Sequence, residues 1–175
     1  MTAPTDTPPV ETKESMGIDP YERNWIRLSL IILVLFFGLI ALAGFALGFQ
    51  VPGEEVRVDP QTVTDSGPFA DPGLREIAPG EYEAYLVSRT FVFQPNELTV
   101  PVGSTIKFYV TSVDVQHGFK LQDTNVNMQI VPGQVSVLEA TFDEIGEYPY
   151  ICHEYCGIGH AAMFGTLRVV PPGQE

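Results

Sequence analysis

The chain of 175 residues carries nine Lys/Arg against 22 Asp/Glu, a formal net charge of −13. A length of this order accommodates one compact domain of about 100–200 residues and excludes a large multi-domain enzyme. The acidity excludes a strong nucleic-acid binder, and with only 18% of residues charged the apolar ones must be concentrated somewhere.

Residues 1–17 (MTAPTDTPPVETKESMG) are rich in Thr and Pro, lack periodicity and cannot bury a core, which predicts a disordered tail. Residues 18–49 are expected to form an interfacial segment and a transmembrane helix. From Leu28 to Phe49 run 22 residues without one charge, and at about 1.5 Å per residue a helix of them reaches roughly 33 Å, enough to cross a bilayer's hydrocarbon core. The run is apolar all round, with Ser29 its only hydroxyl, whereas a buried helix of a soluble protein keeps a polar stripe. Tyr21 and Trp25 suit an interfacial anchor.

A cleaved signal peptide competes, because Leu28 to Ile40 followed by Ala41-Leu42-Ala43 resembles an h-region with a small-residue cleavage site. Continuation of the run to Phe49, and the long, net acidic stretch ahead of it, favour a retained single-pass anchor in the plasma membrane. Lys13, Arg23 and Arg27 precede the span, and Arg57 is the only basic residue between positions 50 and 74. The positive-inside rule therefore puts the N-terminal tail in the cytoplasm and residues 50–175 on the extracytoplasmic side. That outer part has 17 Asp/Glu against six Lys/Arg, a surface that either steers a basic soluble partner or serves general solubility.

Residues 50–80 hold five prolines and four glycines and read as an extended connector, packed on a neighbour or free. Residues 81–175 form the folded domain, with predicted strands at Tyr82 to Phe93, Glu97 to Val100, Thr105 to Thr111, His117 to Leu121, Asn125 to Val131, Gln134 to Phe142, Glu147 to Ile151 and Thr166 to Val170. Turn signals at Gln94-Pro95-Asn96, Pro101-Val102-Gly103, Pro132-Gly133 and Glu144-Ile145-Gly146 separate them. The spacing predicts an all-β, antiparallel Greek-key sandwich. No repeat, phosphate-binding glycine loop or nucleophile elbow is present.

Every histidine and cysteine falls between positions 117 and 160, a clustering that favours a metal site. The pattern is H-x34-C-x3-C-x3-H-x2-M, from His117 through Cys152, Cys156 and His160 to Met163. Two imidazoles with thiolate and thioether donors select copper over hard cations, and a weak Met beside Cys and His is the donor set of copper electron-transfer sites. One copper needs a single Cys, so the extra thiolate asks for a second ion. Two thiolates against two Cu(I) leave a near-neutral core, and sharing one electron over both metals lowers the reorganisation cost. A Cys152–Cys156 disulfide is the competing reading. His153 is expected to be a solvated loop residue, and Met128 and Met16 to be packing. Phe119, Tyr155 and Phe164 either pack or form an apolar rim for docking an electron donor.

The run CHEYCGIGHAAMFG with the upstream DVQHGF resembles the dinuclear copper A centre of cytochrome c oxidase subunit II, whose pattern is C-x-E/Q-x-C-G-x-x-H-x-x-M. The resemblance implies a cupredoxin-like domain holding two copper ions on His117, Cys152, Cys156, His160, Met163 and the main-chain carbonyl of Glu154, with the cysteines bridging. It implies an electron-transfer module, not catalytic alone, through which electrons pass from soluble cytochrome c or a small copper protein to haem in subunit I for O₂ reduction. One helix rather than two, with YERNW and VDPQTV, is similar to the ba3-type (B-family) haem-copper oxidases. That likeness implies a small additional single-helix subunit and a place for Glu22 near a proton path, against a plain interfacial charge. Glu154 resembles a glutamate whose side chain helps hold Mg²⁺ in A-type enzymes. The alternative function is a membrane-anchored copper-binding or copper-delivery cupredoxin without an oxidase partner.

Overall fold

The computed structural model describes residues 17–48 and 53–174, as two compact units, a helix and a β-domain. Of the tail expected over residues 1–17, residues 1–16 lie outside the described residues. Helix α1 spans Pro20–Ala46. Asp19 caps it, its carboxylate accepting the Tyr21 N–H at 2.8 Å, and Pro20 opens it where a missing N–H costs nothing. None of its residues is buried, and its apolar window has a mean hydropathy of 2.8. Among the described residues it is the one helix long and apolar enough to cross a bilayer. Tyr21 and Trp25 lie on its first turns, ahead of the uncharged run that begins at Leu28.

The β-domain has eleven strands: β1 Gly53–Arg57, β2 Gly73–Ala78, β3 Glu81–Arg89, β4 Val92–Gln94, β5 Glu97–Pro101, β6 Ser104–Ser112, β7 His117–Leu121, β8 Asn127–Ile130, β9 Gln134–Phe142, β10 Gly146–Ile151 and β11 Phe164–Val170. One sheet runs β1-β9-β6-β3-β2 with β4 also paired to β3, and the other runs β5-β11-β10-β7-β8. The sandwich expected from the sequence is present, but it is mixed: β3 pairs β6 in parallel, and β5 pairs β11 in parallel. The chain leaves the first sheet after β4, crosses to the second as β5 and returns as β6 pointing the same way as β3. Strand spacing alone carries no information on such a return. The expected strand Tyr82 to Phe93 is two strands folded back on each other, with Arg89 opposite Val92.

The connector expected over residues 50–80 is also more structured than its composition suggested. It supplies β1, paired to β9, and β2, paired to β3. The reason lies on the outer face of the first sheet. Alternation along β3, β6 and β9 sends Ala84, Leu86, Ile106, Phe108 and Leu138 inward, but Val87, Val135 and Val137 outward. Val63 and Phe69 cover that second apolar face. Phe69 stands edge-on to Tyr85 at 5.4 Å, Tyr85 stacks on Tyr109 at 4.8 Å, and Arg75 lies over Tyr85 while donating to the carbonyls of Pro68 and Asp71. Burial followed by the neighbouring Glu83 carboxylate pushes the Tyr85 hydroxyl up to about 12.

Between the sheets Phe93, Phe108, Phe119 and Tyr150 are wholly buried and meet at 5.1–5.7 Å, Phe93 edge to face with Phe119 and Tyr150 and the other pairs tilted. The Tyr150 hydroxyl donates to the Pro95 carbonyl at 2.9 Å. Phe108→Ala removes a central ring away from the ligand loop and should cost about 3–5 kcal/mol of domain stability in denaturant unfolding.

Candidate metal centre

The ladder between β10 and β11 pairs six residues and ends at Ile151 opposite Phe164. Beyond it the chain loops from Cys152 to Met163, and the Cys152 N–H donates to the Met163 carbonyl at 3.1 Å. A short 3₁₀ turn at His160–Ala162 folds the loop back, with the N–H groups of His160, Ala162 and Met163 bonded to the carbonyls of Gly157, Gly159 and His160 at 3.0–3.1 Å. His117 arrives from β7, which pairs with β10 through Tyr150–Leu121 and Ile151–Lys120. Two distant stretches of sequence thus meet at one end of the second sheet.

The donor atoms form a continuous series. His117 Nδ1 lies 3.8 Å from Cys152 Sγ, which lies 3.8 Å from Cys156 Sγ, which lies 3.7 Å from His160 Nδ1. Met163 Sδ is 3.8 Å from Cys156 Sγ, and the Glu154 carbonyl is 3.2 Å from Cys152 Sγ. The structure therefore brings all six sequence-predicted residues together, with His117, Cys152 and Cys156 mutually within 4.8 Å. A disulfide needs about 2.05 Å between sulfurs, so both cysteines are free thiols. Two donors on a tetrahedral ion with bonds of about 2.0–2.3 Å stand roughly 3.3–3.8 Å apart, and the observed spacings suit a thiophilic metal. Burial first, then the adjacent Cys152 sulfur, pushes the Cys156 thiol well above the ordinary thiol range. Metal uptake at neutral pH must then displace a proton.

His117 is completely buried and Cys152, Cys156 and Met163 are nearly so, while His160 is half-buried. Asp114, to which the sequence pattern assigned no role, orients His117: its Oδ1 lies 2.9 Å from Nε2, which assigns the ring proton to Nε2 and leaves Nδ1 free toward Cys152. Asp114 also accepts from the N–H groups of Thr90 and Val115, both at 2.7 Å. A carboxylate three residues before a candidate ligand histidine was the available signal. Burial acts to raise the Asp114 carboxyl, but the bonds from His117, Thr90 and Val115 outweigh it and hold it at about 2.

His153 is an exposed loop residue, as expected, although it is not without neighbours. Its ring lies against Gly118, where a Cβ would come within 2.6 Å of it, and its Nδ1 is 3.7 Å from the partly exposed Glu154 carboxylate. Phe119 and Met128 are buried packing, as expected. Tyr155 and Phe164 instead face outward at 80% and 62% exposure, joined by Ile158 at 97%, which no sequence signal singled out.

The depressed Asp114 carboxyl contributes stability that is fully present above about pH 4, the unfolded value, and is lost as pH falls through about 2. Asp114→Asn should therefore unfold more readily than the parent at neutral pH in the metal-free state. Equilibrium unfolding followed from pH 5 to 2 should show that difference shrinking toward zero.

Comparison with known proteins places the chain in a family. The family described as cytochrome c oxidase subunit II, periplasmic domain, matches residues 81–170. A cytochrome c oxidase subunit 2 of Thermus thermophilus is 44% identical over 163 residues, covering 91% of this chain and 97% of that protein. A second Thermus thermophilus subunit 2 is 45% identical over 130 residues, 73% of this chain and 96% of the relative. A chain in the cryo-EM structure of a heme-copper terminal oxidase dimer superposes with a TM-score of 0.71 at 33% identity, covering 86% of this chain and 99% of that one. A family match over half the chain and a relative matched along nearly its full length agree with the sandwich and its thiol-imidazole cluster: the chain belongs to the cytochrome c oxidase subunit II family and is a subunit of an enzyme complex rather than an enzyme alone.

Proposed function

We propose that this chain is the subunit through which electrons enter a terminal haem-copper oxidase of the ba3 type, using a dinuclear copper A centre. The observation that carries the reading is the unbroken donor series His117–Cys152–Cys156–His160 at 3.7–3.8 Å per step, with Met163 at one thiol and the Glu154 carbonyl at the other. Two copper ions would supply a one-electron couple between soluble cytochrome c or a small copper protein and haem in subunit I. His117, Cys152, Cys156 and His160 would hold them, with Met163 and the Glu154 carbonyl as weaker ligands.

The chain's own residues supply the rest. Asp114 fixes the His117 tautomer. Phe119 and the buried sulfurs keep water from the donors, which limits solvent reorganisation when charge moves. The exposed Tyr155, Ile158 and Phe164 give a carrier an apolar surface beside the site. Helix α1 anchors the chain with its N-terminus in the cytoplasm, as the distribution of Lys13, Arg23 and Arg27 indicates, and the remaining family partners are subunit I and a small single-helix subunit. The subunit 2 relatives and the solved heme-copper oxidase dimer support this assembly over a copper-delivery protein without a partner.

Electron paramagnetic resonance on the copper-loaded, partly oxidised chain should show one unpaired electron shared over two copper nuclei at a copper-to-protein ratio near two. Cys156→Ser should abolish that signal, and a variant retaining it would sink the bridging assignment. The second-order rate of reduction by a basic carrier should fall as added salt screens the acidic surface, whereas a rate indifferent to salt assigns docking to the apolar rim alone.

A further inference from the structure

The loop between Cys156 and His160 contains two glycines, and both lie against one ring from elsewhere in the chain. A Cβ on Gly157 would stand 2.9 Å from Phe91 Cε1, and a Cβ on Gly159 would stand 2.6 Å from Phe91 Cγ. Gly157 has φ +133°, which favours glycine on backbone grounds. Gly159 has φ −93°, which any residue adopts, so what keeps it bare is the space the ring fills. Phe91 lies in the β3–β4 turn, more than sixty residues before the loop, and packs on the main core. Its neighbour Phe93 is completely buried, and the Thr90 N–H donates to the Asp114 carboxylate that orients His117. One turn therefore touches the supports of both histidines.

We propose that Phe91 is a positioning residue for the metal centre: its ring, wedged against the bare backbone of Gly157 and Gly159, sets the spacing between Cys156 and His160. A flat, rigid ring against two Cα atoms holds that four-residue span from the inner side, while the hydrogen bonds of the 3₁₀ turn hold it along its length. The proposal takes its consequence for copper from the function proposed above, but the contact itself is a property of the metal-free chain.

The test uses the full chain in detergent, with Phe91→Ala, Phe91→Leu, Gly159→Ala and the double variant Phe91→Ala/Gly159→Ala. In the metal-free protein, amide hydrogen exchange should quicken at His160, Ala162 and Met163 in Phe91→Ala, with β3, β6 and β9 unchanged. In the copper-loaded protein a Cu(I) chelator should strip metal roughly 10-fold faster, and the copper hyperfine pattern should change, with Phe91→Leu intermediate. Gly159→Ala should be damaging alone and nearly silent once Phe91 is alanine, because the collision has gone. Uniform loss of protection across the domain, or equal damage from Gly159→Ala in both backgrounds, would overturn the proposal and reduce Phe91 to ordinary core. If the parent chain itself takes up fewer than two copper ions, the dinuclear reading fails, yet exchange in the metal-free chain still decides the role of Phe91.

Discussion

The hydrogen bond from the Cys152 N–H to the Met163 carbonyl is the constraint on which the site depends. It extends the β10–β11 ladder by one step and turns an irregular twelve-residue segment into a closed loop whose ends cannot move apart. Five of the six donor residues are on that loop, so their mutual distances follow from its closure and from the 3₁₀ turn inside it. The sixth, His117, needs only the pairing of β7 with β10 to fall into range. The donors are brought together by folding, and little ordering is left for a metal to impose when it arrives.

Burial of the donors has an electrostatic counterpart. A pair of thiolates taken out of water 3.8 Å apart would repel strongly in the absence of cations. Burial first, and the neighbouring Cys152 sulfur second, push the Cys156 thiol toward the protonated form before metal binding. Metal and proton therefore compete for the same sulfur. Asp114 is the opposite case, a carboxylate kept ionised by three donors and available to hold one imidazole in a fixed orientation.

The donor set was legible in the sequence because it depends on local spacing: the residues from Cys152 to Met163 sit within one loop, and residue chemistry names the metal class. Strands were legible where β-branched and aromatic runs were bounded by turn residues, as in β6 and β9. What was hidden depends on pairing between distant segments. β1 and β2 lie in a stretch whose prolines and glycines signal loops, and they are strands through pairing with β9 and β3, while Val63 and Phe69 between them cover the apolar outer face. The parallel partners of β3 and β5 left no mark on local composition. Phe91, Gly118 and Gly159 were hidden for the same reason, since a contact between a ring and a bare Cα shows only after the chain has folded.

The place of β11 has a further consequence. This strand, at residues 164–170, is an interior member of its sheet, with β5 on one side and β10 on the other. Its parallel partner β5 precedes it by about seventy positions. The second sheet therefore cannot close until residues 164–170 have joined it, and until they do β5 has no partner in that sheet and the ligand loop has only one of its two walls. Folding is ordered by this topology: the loop takes its final shape only once a contact spanning about seventy positions has formed.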